Sequence, residues 1–240
     1  DELNIKAVSI TPNEEELVNL KSKANYKTLG RKLGSKMKIA AKNISNLSKK
    51  NVRKIQNGKN ISLNIDGNGN SNVNTGNEMF DHMLSQLSKH GLIDLEIDLI
   101  SGDSGLGWHH VVEDVGILLG ESFSKCIGDG KGITRTSHAY VPLDETLVRN
   151  VIDFGGRGYF KLSGYIGDSD LGELSGSLIT HFLETFSREA NCNLFTTILE
   201  GVNNHHISEA MFKSLGIVLK NALTLDPRRN SIPSTKGTIS

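Results

Sequence analysis

Apolar and polar positions change rhythm several times along the chain. Residues 3–10, LNIKAVSI, alternate as a half-buried strand does. TPNEEELVNL follows as a turn, a cap and an acidic first helical turn. KTLGRKLGSKMKIAAKNISNLSKKNVRKI predicts a basic helical region, with Leu33, Met37, Ile39 and Ala40 on an apolar side and SNLSKKNVRKI as a second short helix. ISLNIDGNGNSN predicts a strand and an Asn-rich turn. EMFDHMLSQLSKHG is amphipathic at helical period, with Met79, Met83, Leu84 and Leu87 on one side and Gly91 as its stop. LIDLEIDLIS then alternates as a strand, and HHVVEDVGILLGESFSKCI is the next helix. The order recurs further on: SLITHFLETFSREA is a helix, NLFTTILEG a strand and HHISEAMFKSLGIVLKNAL a helix. VPLDETL (141–147) predicts a strand end leading into a capped helix, with Asp144 and Glu145 in its first turn.

The recurrence carries chemistry with it. Twice, a helix with one histidine (His82, then His181) precedes a strand and a helix that opens His-His-x-x-Glu. His109 and His205 stand 96 residues apart, as do His110 and His206. A repeat this long is no solenoid; it predicts two related α+β halves about a pseudo-twofold axis. On a helix, Glu113 shares a side with His109 or His110, whereas the two adjacent histidines diverge by about 100°. That divergence suits two different metal ions better than chelation of one. Imidazole and carboxylate together suit a borderline divalent cation. The candidate ligands are His82, His109, His110, Glu113, His181, His205, His206 and Glu209, enough for two sites with room for a substrate. A lone histidine on an amphipathic helix is usually a hydrogen-bonded or surface group, but two copies in matching contexts argue for metal. His138 lies outside the pattern. His90, beside Gly91, reads as a cation on helix C-terminal carbonyls or as a substrate contact.

Charge divides the 240-residue chain unevenly. Lys and Arg number 27, as do Asp and Glu, so the formal charge is zero. Residues 1–60, however, hold 14 Lys and Arg against 5 Asp and Glu, and the remaining 180 hold 13 against 22. A polyanion-binding segment and a solvated basic helix both fit the first stretch. Cys126 and Cys192 have no metal-ligand spacing and imply no disulfide framework, as in a reducing compartment. No signal peptide and no membrane-length apolar run is seen, so a cytoplasmic protein without membrane contact is expected.

Other marks suit an anion. SIPSTKG (231–237) offers Ser234, Thr235 and Lys236 as a phosphate cradle, though a frayed tail reads the same way. Arg135 in GITRTSHA and Arg157 in FGGRGYF are each a phosphate clamp or a surface residue.

FDHMLSQLSKHG, HHVVEDVGILLG, GITRTSHAYVPLDETL, GVNNHHISEAMFKSL and IPSTKG, in order over about residues 61–240, resemble imidazoleglycerol-phosphate dehydratase of histidine biosynthesis. The resemblance implies an α+β fold with internally duplicated sheet and helix halves (about 61–150 and 151–240), of the ribosomal protein S5 domain 2-like kind. It further implies a hydro-lyase converting imidazole glycerol phosphate to imidazole acetol phosphate, two Mn²⁺ per active site, and a 24-subunit homo-oligomer with metal sites between neighbours. Glu113 and Glu209 would serve as base or ligand, Arg135, Arg157, Ser234, Thr235 and Lys236 would hold the phosphate, and Lys213 and His90 would contact substrate. The chain departs from the family's pattern at GLGW before the first histidine pair, at GRGY, and in RKIQNGKNISL, which lacks an expected Glu. Residues 1–60, with ELNIKAVSI and KANYKTLGRKLGSKMKIAAKNISNLS, resemble the C-terminal region of isoleucyl-tRNA synthetase, a small basic α/β segment implying tRNA contact. The alternatives are a tRNA-binding appendage fused to an inactive metal-binding dehydratase-like domain, and a metallohydrolase using the same ligands on water.

Overall fold

The computed structural model describes residues 51–56, 59–99 and 105–239. The strand and helices expected before residue 49 lie outside the described residues. Those described belong to a compact unit spanning Lys49–Ser240.

Its elements are β1 (Asn51–Gln56), β2 (Lys59–Asn64), β3 (Ser71–Asn74), α1 (Glu78–Gly91), β4 (Asp94–Leu99), β5 (Gly105–Trp108) and α2 (His109–Ile127). They continue with β6 (Thr136–Leu143), β7 (Thr146–Asp153), β8 (Tyr159–Ser163), α3 (Gly176–Glu189), β9 (Asn193–Glu200) and α4 (Asn204–Leu223). Two four-stranded sheets have matching orders, β1-β2-β4-β3 and β6-β7-β9-β8. In each, the first three neighbours pair antiparallel and the last pair is parallel. The α+β duplication is thus written in topology as well as in sequence.

Three expectations change. Residues 51–55, read as the end of a second helix, form β1 and pair with β2. Lys54 lies opposite Ile61 and Gln56 opposite Lys59, so the boundary placed at residue 60 falls inside a strand. Ladder hydrogen bonds outweigh the helical look of a basic run whose neighbours on one side are strands. The division of the halves at 150 falls inside β7; the repeated order turns over between Ile127 and Thr136. VPLDETL does not open a helix. Leu143 pairs with Thr146 across a two-residue hairpin turn of Asp144 and Glu145, with Asp144 at φ 48.

The apolar alternation that marks the strands faces the core. Ile61 and Leu63 on β2, and Leu95 and Ile97 on β4, are all at most 1% exposed. α1 packs on β3 and α2 on β1 and β2, while α3 packs on β8 and α4 on β6 and β7. Helices of opposite halves then pair: α1 against α4, and α2 against α3. An aromatic cluster joins them, with Phe80 edge-on to Phe182 at 5.4 Å and Phe182 stacked on Phe212 at 5.3 Å.

Small residues set how closely the helices approach. A Cβ on Gly216 of α4 would meet the Leu87 carbonyl of α1. One on Gly120 of α2 would lie 2.8 Å from the Phe186 carbonyl of α3. Gly120 and Gly216 are 96 residues apart, the spacing of the histidine pairs. The duplication therefore preserves the close contact that brings ligand-bearing faces together.

Candidate metal centre

The histidines assemble across the halves. His82 of α1 meets His205 and Glu209 of α4: its Nε2 lies 3.0 Å from Glu209 Oε2, and His205 Nε2 lies 3.2 Å from the same oxygen. The His82 and His205 rings stack at 5.6 Å. The second group joins His109 and Glu113 of α2 to His181 of α3, with Glu113 carboxylate oxygens 3.9 Å from His109 and 4.0 Å from His181. The His109 and His181 rings stack at 4.5 Å. In each group one ligand atom per residue lies within 4.8 Å of the others. α2 and α4 each open with their histidine pair at the N-terminus, and Glu one turn on returns to the face of the first histidine.

These residues fit a divalent cation. His181 Nε2 is buried without a hydrogen-bond partner, a costly state for a polar atom unless a ligand satisfies it. Two imidazoles and a carboxylate are the donor set such ions take. Each group has three donors, leaving positions for other ligands.

The groups differ in their surroundings. Lys213 Nζ stands 2.6 Å from Glu209 Oε1, one turn along α4. Burial works to raise the Glu209 pKa, but hydrogen bonds from Lys213 and His82 outweigh it and hold the carboxyl at about 2. The corresponding residue near Glu113 is Ile117, so that carboxylate has no such cation one turn along its helix. His90, half-buried at the end of α1, has its pKa lowered by burial and by the nearby Lys213.

Six of the eight expected ligands thus come together, and His110 and His206 stand outside both groups. His110 is exposed, its ring 5.8 Å from that of His109. His206 is held by the β6–β7 turn: its Nδ1 lies 2.7 Å from Glu145 Oε2, and its Nε2 lies 3.6 Å from Asp144 Oδ2. The Glu145 hydrogen bond raises the His206 pKa, and the same contact, helped by the Asn203 amide, lowers the Glu145 carboxyl to about 2. Asn203 caps α4, its side chain accepting from the His205 and His206 amides. Its counterpart is Gly107, and α2 has no side-chain cap. There the Trp108 indole donates to Glu173 at 2.9 Å, so GLGW is anchored by its aromatic residue.

The sequence does not mark Asp144, Glu145 and Asn203 as site residues, because an acidic pair that reads as a helix's first turn, and an Asn ahead of a helix, show no distant partner. The phosphate candidates divide. Arg135, at φ 77, donates to both oxygens of Asp153 at 2.6 and 3.0 Å and to the Pro233 carbonyl at 2.7 Å. It thereby ties the strand to the loop carrying Ser234, Thr235 and Lys236. Ser234 accepts from the Lys236 amide at 3.2 Å. Arg157 is exposed between β7 and β8, and exposed His138 meets Tyr140 on β6.

A family profile for imidazoleglycerol-phosphate dehydratase matches residues 75–219. The chain belongs to the imidazoleglycerol-phosphate dehydratase family. Imidazoleglycerol-phosphate dehydratase of Dehalococcoides mccartyi is 46% identical over 178 residues, 74% of this chain and 89% of that protein. That of a Janthinobacterium species is 47% identical over 180 residues, 75% and 90% of the two. Among solved structures, the dehydratase of Staphylococcus aureus has a TM-score of 0.68 at 33% identity, covering 73% of this chain and 99% of its own. The dehydratase of Pyrococcus furiosus has a TM-score of 0.64 at 27% identity, covering 78% and 99%. This family member is a hydro-lyase of histidine biosynthesis, dehydrating imidazole glycerol phosphate to imidazole acetol phosphate.

Proposed function

We propose that the dehydratase reaction runs on two Mn²⁺ ions, one held by His82, His205 and Glu209 and the other by His109, Glu113 and His181. The observation that carries this is the crossed pair of three-donor groups, with His181 Nε2 buried and without a hydrogen-bond partner. The bound metal supplies positive charge against which the substrate's imidazole ring holds electron density, as needed to remove a proton from carbon with no neighbouring carbonyl. Glu209 serves as ligand rather than base, because its Oε2 faces both His82 Nε2 and His205 Nε2 while Lys213 Nζ holds its Oε1. Glu113 serves the same role opposite. Lys213 fixes Glu209 and presents positive charge beside the substrate. Arg135 sets the Ser234–Lys236 loop, and the loop with Arg157 takes the phosphate.

His110 and His206, both at helix starts and outside the groups, fill open positions on neighbouring copies in a homo-oligomer of the 24-subunit kind. The enzyme works in the cytoplasm; among the described residues no helix is long and apolar enough to cross a membrane. The basic segment of residues 1–60, with its excess of Lys and Arg, is the part that contacts tRNA.

Counting Mn²⁺ per chain while following imidazole acetol phosphate formation tests the reading. Two ions and turnover are expected, with His82→Ala and His181→Ala each losing one ion and at least 100-fold in kcat. Full turnover in chelator-treated protein would sink it. Light scattering checks the oligomer, and tRNA binding with and without residues 1–48 checks the basic segment.

A further inference from the structure

Glu145 sits at a junction that the dehydratase assignment does not use. It occupies the tip of the β6–β7 hairpin, far in sequence from α4, yet its carboxylate spans the start of that helix. Oε1 accepts from the Asn203 amide at 3.0 Å, the Val202 amide at 3.3 Å and the Thr146 hydroxyl at 3.2 Å. Oε2 lies 2.7 Å from His206 Nδ1. One oxygen therefore fixes the backbone entering the helix, and the other fixes the ring of its third residue.

An ionised carboxylate only accepts, so the proton of this contact belongs to His206 Nδ1. In the neutral ring Nε2 then carries the lone pair, and the hairpin sets the direction in which it points. A histidine that donates one ring N–H to a carboxylate while the other nitrogen faces a cation is the usual way a protein fixes tautomer and ring orientation. The matching connection in the first half, between β1 and β2, is Asn57–Gly58, with no carboxylate in its sequence.

We propose that Glu145 is a positioning residue that holds His206 as the Nδ1–H tautomer, with Nε2 presented as a ligand to a divalent cation. The proposal rests on the reading of His206 as a metal ligand contributed to a neighbouring copy. A role for Glu145 merely in closing the hairpin onto α4 makes a different prediction. In Glu145→Gln a single oxygen remains. If it stays on the Val202 and Asn203 amides, the amide NH₂ donates to Nδ1 and drives the ring proton to Nε2, where a cation cannot bind. If it turns to the ring, the helix start loses its acceptor and the melting temperature falls.

The experiment titrates the full chain calorimetrically with Mn²⁺ alone, for wild type, Glu145→Gln, His206→Ala and the double variant, with a melting curve for each. Glu145→Gln is expected to weaken Mn²⁺ binding by about 10- to 100-fold, with little change in melting temperature. His206→Ala should weaken it at least as much, and the double variant no more than His206→Ala. Wild-type affinity in Glu145→Gln, alongside weak binding in His206→Ala, would overturn the positioning role and leave the metal reading standing. Losses that add in the double variant would also overturn it, since Glu145 would then act through something other than His206. Unchanged affinity in His206→Ala would remove both the ligand role and the proposal, while loss in His82→Ala would still uphold the metal centre itself.

Discussion

Glu209 is a heavily constrained carboxylate, taking contacts from His82, His205 and Lys213 at once. Its pKa of about 2 lies below the ordinary 4.5. The stabilisation it provides is therefore fully present above pH 4.5 and is lost as pH falls through about 2. Lys213→Met removes the largest opponent of burial, so the loss moves to higher pH. Urea midpoints of chelator-treated protein between pH 5 and 2 are expected to fall earlier in the variant; parallel curves would show that Lys213 does not hold this carboxyl down. Asn203 offers a second test at this scale. Asn203→Ala removes the acceptor for both histidine amides and should cost about 1 kcal/mol in denaturant unfolding. Mn²⁺ affinity should drop with it, because His205 and His206 lose a common anchor.

At the scale of elements, the close approach of paired helices does the positioning. Gly216→Ala puts a methyl against the Leu87 carbonyl, and overpacking of this kind costs about 1–3 kcal/mol. The α1 and α4 ligands should separate while the α2 and α3 group keeps its ion, so a count of one Mn²⁺ per chain is expected. Gly120→Ala should do the converse. The helices bearing histidines were legible in the sequence because each has a strong 3.6-residue apolar period, and α1 and α2 carry the bounds read from it. β4 was legible by alternation, and β2 and β9 as short runs rich in apolar and β-branched residues. β1 was not: Val52 and Ile55 sit among Arg and Lys, and only pairing with β2 decides their state. The crossed grouping was hidden as well. Periodicity shows which residues share a helix face, but the partner of that face is chosen by contacts distant in sequence, such as Phe80 with Phe182. For the same reason Glu145 stayed invisible as a neighbour of His206.

For the whole molecule, the first sheet sets how much of the N-terminus can be removed. A chain starting at Lys49 keeps β1 and should melt at nearly the full-length temperature. One starting at Ile61 loses β1 and the first two residues of β2, exposing the edge of that sheet and one side of α2. It should melt markedly lower or fail to fold, and equal melting of the two would refute this account of the sheet. The crossing of ligands between halves reaches further. Neither half could hold an ion with its own three donors, so two copies of a half-length ancestor would have made two identical sites by pairing. Joining them in one chain released the sites from identity. Lys213 now stands where the first half has Ile117, and Asn203 where it has Gly107. The two ions are accordingly expected to leave at different chelator concentrations, a biphasic release that a symmetric pair of half-chains could not show.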